Sequence, residues 1–326
     1  MSKITPNALE SVVARSYGPT QVTNLKRVTG GASRETWLFD STSADTTEHR
    51  LVLRRDPAPS IGATGRETEF ELLAAVRRAG VPVPQVRLLL ETADGLGSGF
   101  IMDRIEGETI PRKLLRDEMF TTVRPQLTAQ FGSIAAQIHA VPVSSLPKLK
   151  VETARTQLDQ WTEILDMFRE PHPALEFGLQ WMRERVPPES EPPRLVHGDF
   201  RNGNFMVGPE GVRCVLDWEL AHLGDPIEDL GWLCARAWRF GVNRVVGGFG
   251  DVSDLLDAYE AASGTRPRTE DLQFWIALAT HKWAVMCLIQ TFTHIRGAVR
   301  SVELAAIGRR VVENEWDLLN LIDGTW

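Results

Sequence analysis

Several features that would single out a special class of protein are missing from this chain. Three of its 326 residues are cysteine, Cys214, Cys234 and Cys287. They stand far apart and form no C-x-x-C pair, so a paired-thiol motif is left out. Each suits a reducing cytoplasm as a small buried apolar residue. No apolar run approaches the roughly 18 residues of a spanning helix. The N-terminal MSKITPNALESVV has no apolar core of signal-peptide length, so a cytoplasmic protein without a membrane partner is expected. Positive charge is not in excess either. Lys and Arg number 36 against 43 Asp and Glu, a net charge of −7, which offers no general attraction to nucleic acid. Internal repeats and low-complexity stretches are absent. What remains is an ordinary globular composition, long enough for two domains or one two-lobed unit.

Against that plain background, residues 195–230 stand out: LVHGDFRNGNFMVGPEGVRCVLDWELAHLGDPIEDL. After Leu195 and Val196 the run His197-Gly198-Asp199-Phe200-Arg201-Asn202-Gly203-Asn204 reads as a loop, since Gly and Asn permit tight backbone angles. Two short apolar runs, 205–207 and 212–216, flank Gly208-Pro209-Glu210-Gly211, the pattern of a β-hairpin. Such a hairpin brings Asn204 and Asp217 together, with Asp199 on the loop beside them. Two oxygen donors and a separate carboxylate are what phosphoryl transfer uses. Magnesium takes hard oxygen ligands shared with substrate phosphates, and a further carboxylate accepts the proton of an attacking hydroxyl.

The spacing His-x-Asp-x-x-x-x-Asn matches the protein-kinase catalytic loop H-R-D-x-x-x-x-N, and Asp217 falls where the D-F-G aspartate would. With HGD, DWE and then GDPIEDL, the stretch resembles the aminoglycoside phosphotransferase family of kinase-like enzymes; choline and homoserine kinases look similar. The resemblance implies Asp199 as catalytic base and Asn204 and Asp217 as magnesium ligands. Asp225 and Asp229 would brace the loop from the start of the following helix. The implied fold is α+β: a protein-kinase-like, two-lobed fold with a small antiparallel β-sheet lobe carrying one major helix, and a larger, mainly helical lobe. The lobes are expected at residues 1–104 and 105–326, with ATP (or GTP) and Mg2+ between them.

Upstream, a first helix capped near Asn7 ends before Gly18-Pro19, and a β pattern from Val22 runs into Thr29-Gly30-Gly31-Ala32-Ser33-Arg34-Glu35-Thr36. Strand, glycine-rich turn and strand form a phosphate-covering loop in kinases, with Gly30, Gly31 and Ser33 as the contacts. Residues 49–55 read as the third strand, with Val52 and Arg54 on one face and Leu51 and Leu53 on the other. Kinases place a phosphate-gripping lysine there; this chain offers Arg54, with Arg55 beside it. The amphipathic helix 64–79 supplies Glu67, Glu69 and Glu71. Glu69, or else Glu67, is the expected partner of the strand arginine. Strands at 85–91 and 99–104 follow, and 100–107 resembles the hinge between lobes. Met102 would be gatekeeper, and backbone groups of Asp103 and Ile105 would meet adenine.

From Ile110 the pattern turns helical, with segments expected at 121–140, 151–168, 171–186, 227–240, 253–263, 269–293 and 301–321. Between Leu233 and Arg310 there are ten Lys or Arg and seven Asp or Glu, a local excess of cations. Arg236, Arg239, Arg244, His281, Lys282, His294, Arg296 and Arg300 are interleaved with aromatics there. An anionic or acyl acceptor fits this better than a polycationic antibiotic. The motifs VLRR, GGAS, HGDFRNGN and LDWELAHLGDP resemble the kinase-like domains associated with acyl-CoA dehydrogenases, which implies a hydroxyacyl-CoA type of substrate. The expected partner is a small molecule bearing a hydroxyl, not nucleic acid. An antibiotic kinase and a silent nucleotide-binding protein are the alternatives. A protein kinase is disfavoured, because Gly224-Asp225-Pro226 begins the next helix soon after Asp217 and leaves no long activation loop.

Overall fold

The structure, a computed structural model, describes residues 4–28, 35–56 and 65–325. The chain opens with α1 (Pro6–Tyr17), capped by the Thr5 hydroxyl, which accepts from the Ala8 amide at 3.3 Å. The cap is Thr5 and not Asn7, because Pro6 has no N–H to lose and a φ already set for the first helical turn. A five-stranded antiparallel sheet follows, built from β1 (Thr20–Val28), β2 (Glu35–Ser43), β3 (Glu48–Asp56), β4 (Val86–Leu89) and β5 (Ser98–Asp103) in the order β1-β2-β3-β5-β4. Between β3 and β4 runs α2 (Arg66–Arg78).

The alternation along β3 separates two cores. Leu51 and Leu53 pack with Phe39, Ile101 and the α1 residues Leu9 and Val13. Val52 points the other way, joining Leu72 and Val76 of α2, Phe100 and Met102. That second core continues without a break into the helical part, through Phe131, Phe205, Trp218 and Leu318. Apolar burial therefore ties sheet and helices together.

The remainder is mainly helical: α3 (Pro111–Arg116), α4 (Leu127–His139), α5 (Ala154–Asp166) and α6 (Pro173–Arg183). Four short strands come next, β6 (Arg194–Val196), β7 (Phe205–Gly208), β8 (Gly211–Val215) and β9 (His222–Gly224). Then follow α7 (Ile227–Cys234), α8 (Val252–Ser263), α9 (Thr269–Ile295), α10 (Val302–Ile307) and α11 (Arg310–Asp323). As expected, β7 and β8 form an antiparallel hairpin, with Phe205 opposite Val215.

Three helical expectations need correction. The segment 121–140 becomes regular only at Leu127, because Pro125 confines the preceding turn to a 3-10 form. The segment 227–240 ends at Cys234, where Ala235 turns extended (ψ 139). Arg239 folds back to donate to the Cys234 carbonyl at 3.0 Å, satisfying an acceptor the broken helix exposes. The segment 301–321 divides at Gly308, whose Cα lies so close to α9 that a Cβ there would stand 2.4 Å from Thr291 Oγ1. One further expectation fails: α9, at 27 residues, is long and apolar enough to cross a membrane. Its apolar residues are spent inside the fold instead, from Leu272 through Leu288. All three cysteines are buried and unbridged.

Candidate active site

The loop 197–204 leaves β6, which pairs with β9 in the register Val196–His222. One buried carboxylate hangs the loop in place. Asp229, near the start of α7, accepts the His197 amide (Oδ2, 2.8 Å) and the Gly198 amide (Oδ1, 2.9 Å), and Oδ2 also meets His139 Nε2 at 3.1 Å. His139 in turn meets the Tyr259 hydroxyl at 3.0 Å. Gly198 has φ 79, and a Cβ there would lie 2.4 Å from the Leu220 carbonyl oxygen. Only glycine fits. The His197 ring is neutral: burial lowers its pKa, and Nδ1 accepts from the Asp199 amide at 3.1 Å. Nε2–H then donates to the Leu216 carbonyl at 3.0 Å. The loop is thus fixed from behind by His197 and Asp229. Asp225 accepts from the Ile227 amide at 2.9 Å, and so braces the helix start and not the loop itself.

This scaffold presents Asp199. Its Oδ1 accepts from Arg201 Nε (2.8 Å) and Trp232 Nε1 (2.7 Å), and its Oδ2 accepts from Asn204 Nδ2 (2.6 Å). Three donors fix the carboxylate's orientation. The Leu216 amide donates to the Asn204 carbonyl at 2.8 Å, so the hairpin brings Asn204 and the 216–217 end of β8 side by side. Asp217 has φ 68, a left-handed conformation that aspartate tolerates better than most residues. Asn204 spends its amide nitrogen on Asp199, so its side-chain carbonyl is its remaining donor to a cation. That carbonyl and the Asp217 carboxylate are hard oxygen donors of the kind magnesium shares with phosphate oxygens. No cluster of three or more His, Cys, Asp or Glu able to hold a metal occurs among the described residues. One amide carbonyl and one carboxylate are a donor set of the size magnesium takes from protein when phosphates supply the rest.

From the sheet, Arg54 reaches across to the same place. Its Nη2 lies 2.7 Å from Asp217 Oδ1 and its Nη1 lies 3.5 Å from Glu69 Oε1. Burial opposes the charge, yet Glu69 and Asp217 outweigh it and hold the guanidinium pKa above its ordinary value. Arg55, on the opposite face of β3, pairs with Glu35 at 2.8 Å. Glu69 is fully buried while Glu67 is exposed. Arg66, which the sequence reading did not single out, is buried between Asp56, which accepts two hydrogen bonds of 3.1 and 2.8 Å, and Glu69.

Met102 is buried in β5 between Val52 and Val86. The Asp103 amide donates to the Gln85 carbonyl at 2.9 Å, so adenine could use only its carbonyl. Ile105 lies half-buried just beyond β5. Gly30, Gly31 and Ser33 lie outside the described residues.

The sequence reading placed Trp238 and Trp283 among the aromatics of this region but missed Trp232, which joins them to the site. Trp232 touches Asp199 directly, and the Arg201 guanidinium lies over Trp238, 4.5 Å from its centroid. Trp238 also packs on Trp232 (5.4 Å) and Trp283 (4.8 Å). The signal was the Trp-rich composition of 218–283, which carries no address without the fold. The cations of the C-terminal region disperse. Arg244 pairs with Asp251 at 2.7 Å, Arg236 with Asp317 at 3.3 Å, and His281 is sealed in the core. Lys282 lines a cavity beside Glu219 and Leu220.

Known proteins share this fold. A Ralstonia eutropha structure described only as a candidate aminoglycoside phosphotransferase superposes with a TM-score of 0.77 over 99% of both chains, at 23% identity. A choline/ethanolamine kinase family protein from Mesorhizobium loti gives 0.62 at 19% identity, covering 96% of this chain and 94% of its own. A spectinomycin phosphotransferase holding ADP and spectinomycin gives 0.68 at 14% identity, covering 97% and 98%. At such identities these show the fold. Among sequences, mouse acyl-CoA dehydrogenase family member 10 is 30% identical over 220 residues, 63% of this chain but 20% of its own length. Chicken family member 11 is 26% identical over 292 residues, 82% of this chain and 36% of its own. The chain thus spans between a fifth and about a third of these relatives. The model of the phosphotransferase enzyme family that includes the aminoglycoside phosphotransferases matches residues 24–272, and the chain, of kinase-like fold, belongs to that family.

Proposed function

We propose that the protein transfers the γ-phosphoryl group of ATP, with Mg2+, to a hydroxyl of a small molecule that is anionic or a hydroxyacyl (CoA-type) compound. The observation that carries this is the contact of Asn204 with Asp199 at 2.6 Å, at one end of a hairpin whose other end delivers Asp217. In this reading Asp199 accepts the proton of the acceptor hydroxyl as its oxygen bonds to the γ-phosphorus. The bond from that phosphorus to the β–γ bridging oxygen breaks, and ADP leaves. The hydrogen bonds from Arg201, Trp232 and Asn204 hold the Asp199 carboxylate toward the acceptor. Asn204 and Asp217 would hold the cation, which when bound supplies charge neutralisation on the phosphates. Arg54 would grip the α- and β-phosphates and Met102 would back the adenine. The protein contributes position and electrostatics more than covalent chemistry. Solved members of the fold holding ADP or AMP-PNP support nucleotide use. Residues 1–104 would then be the nucleotide-covering lobe and 105–326 the catalytic one.

An antibiotic acceptor is the second reading, supported by the macrolide and spectinomycin phosphotransferases among the structural neighbours. Against an aminoglycoside acceptor stand the lysines around the cavity beside Glu219, since a polycation needs acidic walls.

The test is thermal stability of the purified chain against ATP and GTP, with and without Mg2+, followed by ADP release with hydroxylated acceptors. A ligand at 100 times its Kd adds about 2.7 kcal/mol to the native state, readily seen as a shift. A magnesium-dependent shift with one nucleotide is expected. No shift at saturating nucleotide would return the chain to a silent role.

A further inference from the structure

Directly after Asp217 the chain borders a cavity of about 440 Å3, lined by Glu219 and Leu220 on one side and by Lys148, Lys150 and Lys282 on the others. Trp161 and Met286 supply its apolar wall. Lys282 is the unusual member, because its side chain is 9% exposed and long cations are seldom buried unpaired. Its Nζ stands 3.5 Å from Glu228 Oε1, a loose approach. His222 Nε2 (3.0 Å) and Gln157 Nε2 (2.6 Å) meet the other oxygen, Oε2, at closer range, so Glu228 divides one carboxylate among three donors. Burial works against charge on His222, but Glu228 more than offsets this and raises its pKa to about 9. Both His222 nitrogens face acceptors, Nδ1 the Leu220 carbonyl at 2.9 Å and Nε2 Glu228, so the buried set gathers two basic side chains, His222 and Lys282, on one carboxylate, Glu228.

Two other carboxylates line the cavity. Glu152 pairs with Lys150 at 3.2 Å, and Glu219 acts on Arg54. A surplus positive charge at low dielectric costs free energy unless an anion meets it. The position of that charge matters. The Lys282 ammonium lies over the face of Trp232, 5.0 Å from the centroid, while the Nε1–H of the same indole donates to Asp199. The surplus cation thus meets the face of this ring and the Asp199 carboxylate its N–H edge.

We infer that Lys282, backed by Lys148 and Lys150, binds a carboxylate or phosphate group carried by the acceptor. Trp161 and Met286 cover the carbon chain joining that group to the hydroxyl. The inference rests on the phosphotransfer reading for the hydroxyl end, but the anion site can be tested apart from it. The acceptor is bifunctional, with its hydroxyl and its anionic group separated by about one indole.

The experiment uses the full chain, with ω-hydroxy acids of increasing chain length as probes, the hydroxyalkyl phosphates of matching length, and the uncharged diols as controls. Calorimetry measures binding, and ADP release measures turnover. Acid or phosphate is expected to bind about tenfold or more tightly than the diol, as suits one charge-assisted contact; comparison of the two anion arms identifies which group is preferred. Lys282→Met removes the difference by raising KM for the anionic acceptor more than it lowers kcat, and Lys282→Arg retains it. Where Lys282→Met fails to fold, the double variant Lys148→Gln, Lys150→Gln at the cavity rim is expected to weaken anion binding several-fold. Equal binding of acid, phosphate and diol overturns the inference, as does an unaltered preference in the variants. Anion binding that depends on Lys282 without any ADP release would leave the site standing and remove the transfer reading. Transfer that is indifferent to the anionic group would do the reverse.

Discussion

Arg54 and Asp217, 163 residues apart in sequence, are joined by an ion pair of 2.7 Å. The pair is a direct tie between the β-sheet and the hairpin that carries the proposed metal ligands. The guanidinium reaches Glu69 as well as Asp217, a span suited to a planar fork and poorly suited to a single ammonium. Arg54→Lys is therefore expected to raise KM for nucleotide about tenfold. Initial rates at varied ATP check this, and an unchanged KM would detach Arg54 from phosphate binding.

Asp199→Asn should keep nucleotide binding, because the side-chain partners of Asp199 are Arg201, Trp232 and Asn204 and none of them lies in the sheet. Loss of a general base typically costs about 10²- to 10⁴-fold in rate. Single-turnover transfer compared with nucleotide-induced thermal shift separates the two effects. Wild-type turnover in this variant would take the proton-accepting role away from Asp199.

Asp229→Ala acts on the loop's support. Removing the carboxylate leaves the His197 and Gly198 amides and the His139 ring without their acceptor in a fully buried site. A stability loss of about 3 kcal/mol is expected by denaturant titration. Activity should fall as well, since Asp199 follows two residues later. A variant as stable as wild type would mean that the loop is held by something else.

Local spacing explains what could be read beforehand. Asp199, Asn204 and Asp217 lie within one loop and hairpin, so sequence distance nearly fixes spatial distance. The choice between Glu67 and Glu69 was not open to such reading, because both sit on α2 and only the packing of the helix decides which is buried. Arg66 was missed for a related reason: a buried arginine between Asp56 and Glu69 looks in sequence like any solvated helix start. Trp232 and Lys282 are 50 residues apart and meet only because α7 packs on α9. The strand faces of β3 were legible because a period of two needs no tertiary information. The breaks at Ala235 and Gly308 were not, since each answers to a contact outside its own helix.

His281 gives a pH prediction with a definite sign. It is fully buried, neither ring nitrogen has a hydrogen-bond partner among the described residues, and burial lowers its pKa from 6.5 to about 3. The unfolded chain takes up a proton below 6.5 that the folded chain refuses until about 3. Stability is therefore full above 6.5 and falls across that window by roughly 1 kcal/mol per pH unit. His281→Leu should flatten this part of the acid limb in thermal melts at stepped pH. An unaltered limb would assign the acid sensitivity to other groups.

The Asp56–Arg66 ion pair closes β3 onto the first turn of α2, whatever runs between them. Arg54 stands two residues before Asp56 and Glu69 three after Arg66, so this one buried clamp sets the distance across which Arg54 meets Glu69. A change at Asp56 would thus be felt at the Arg54 guanidinium without touching it.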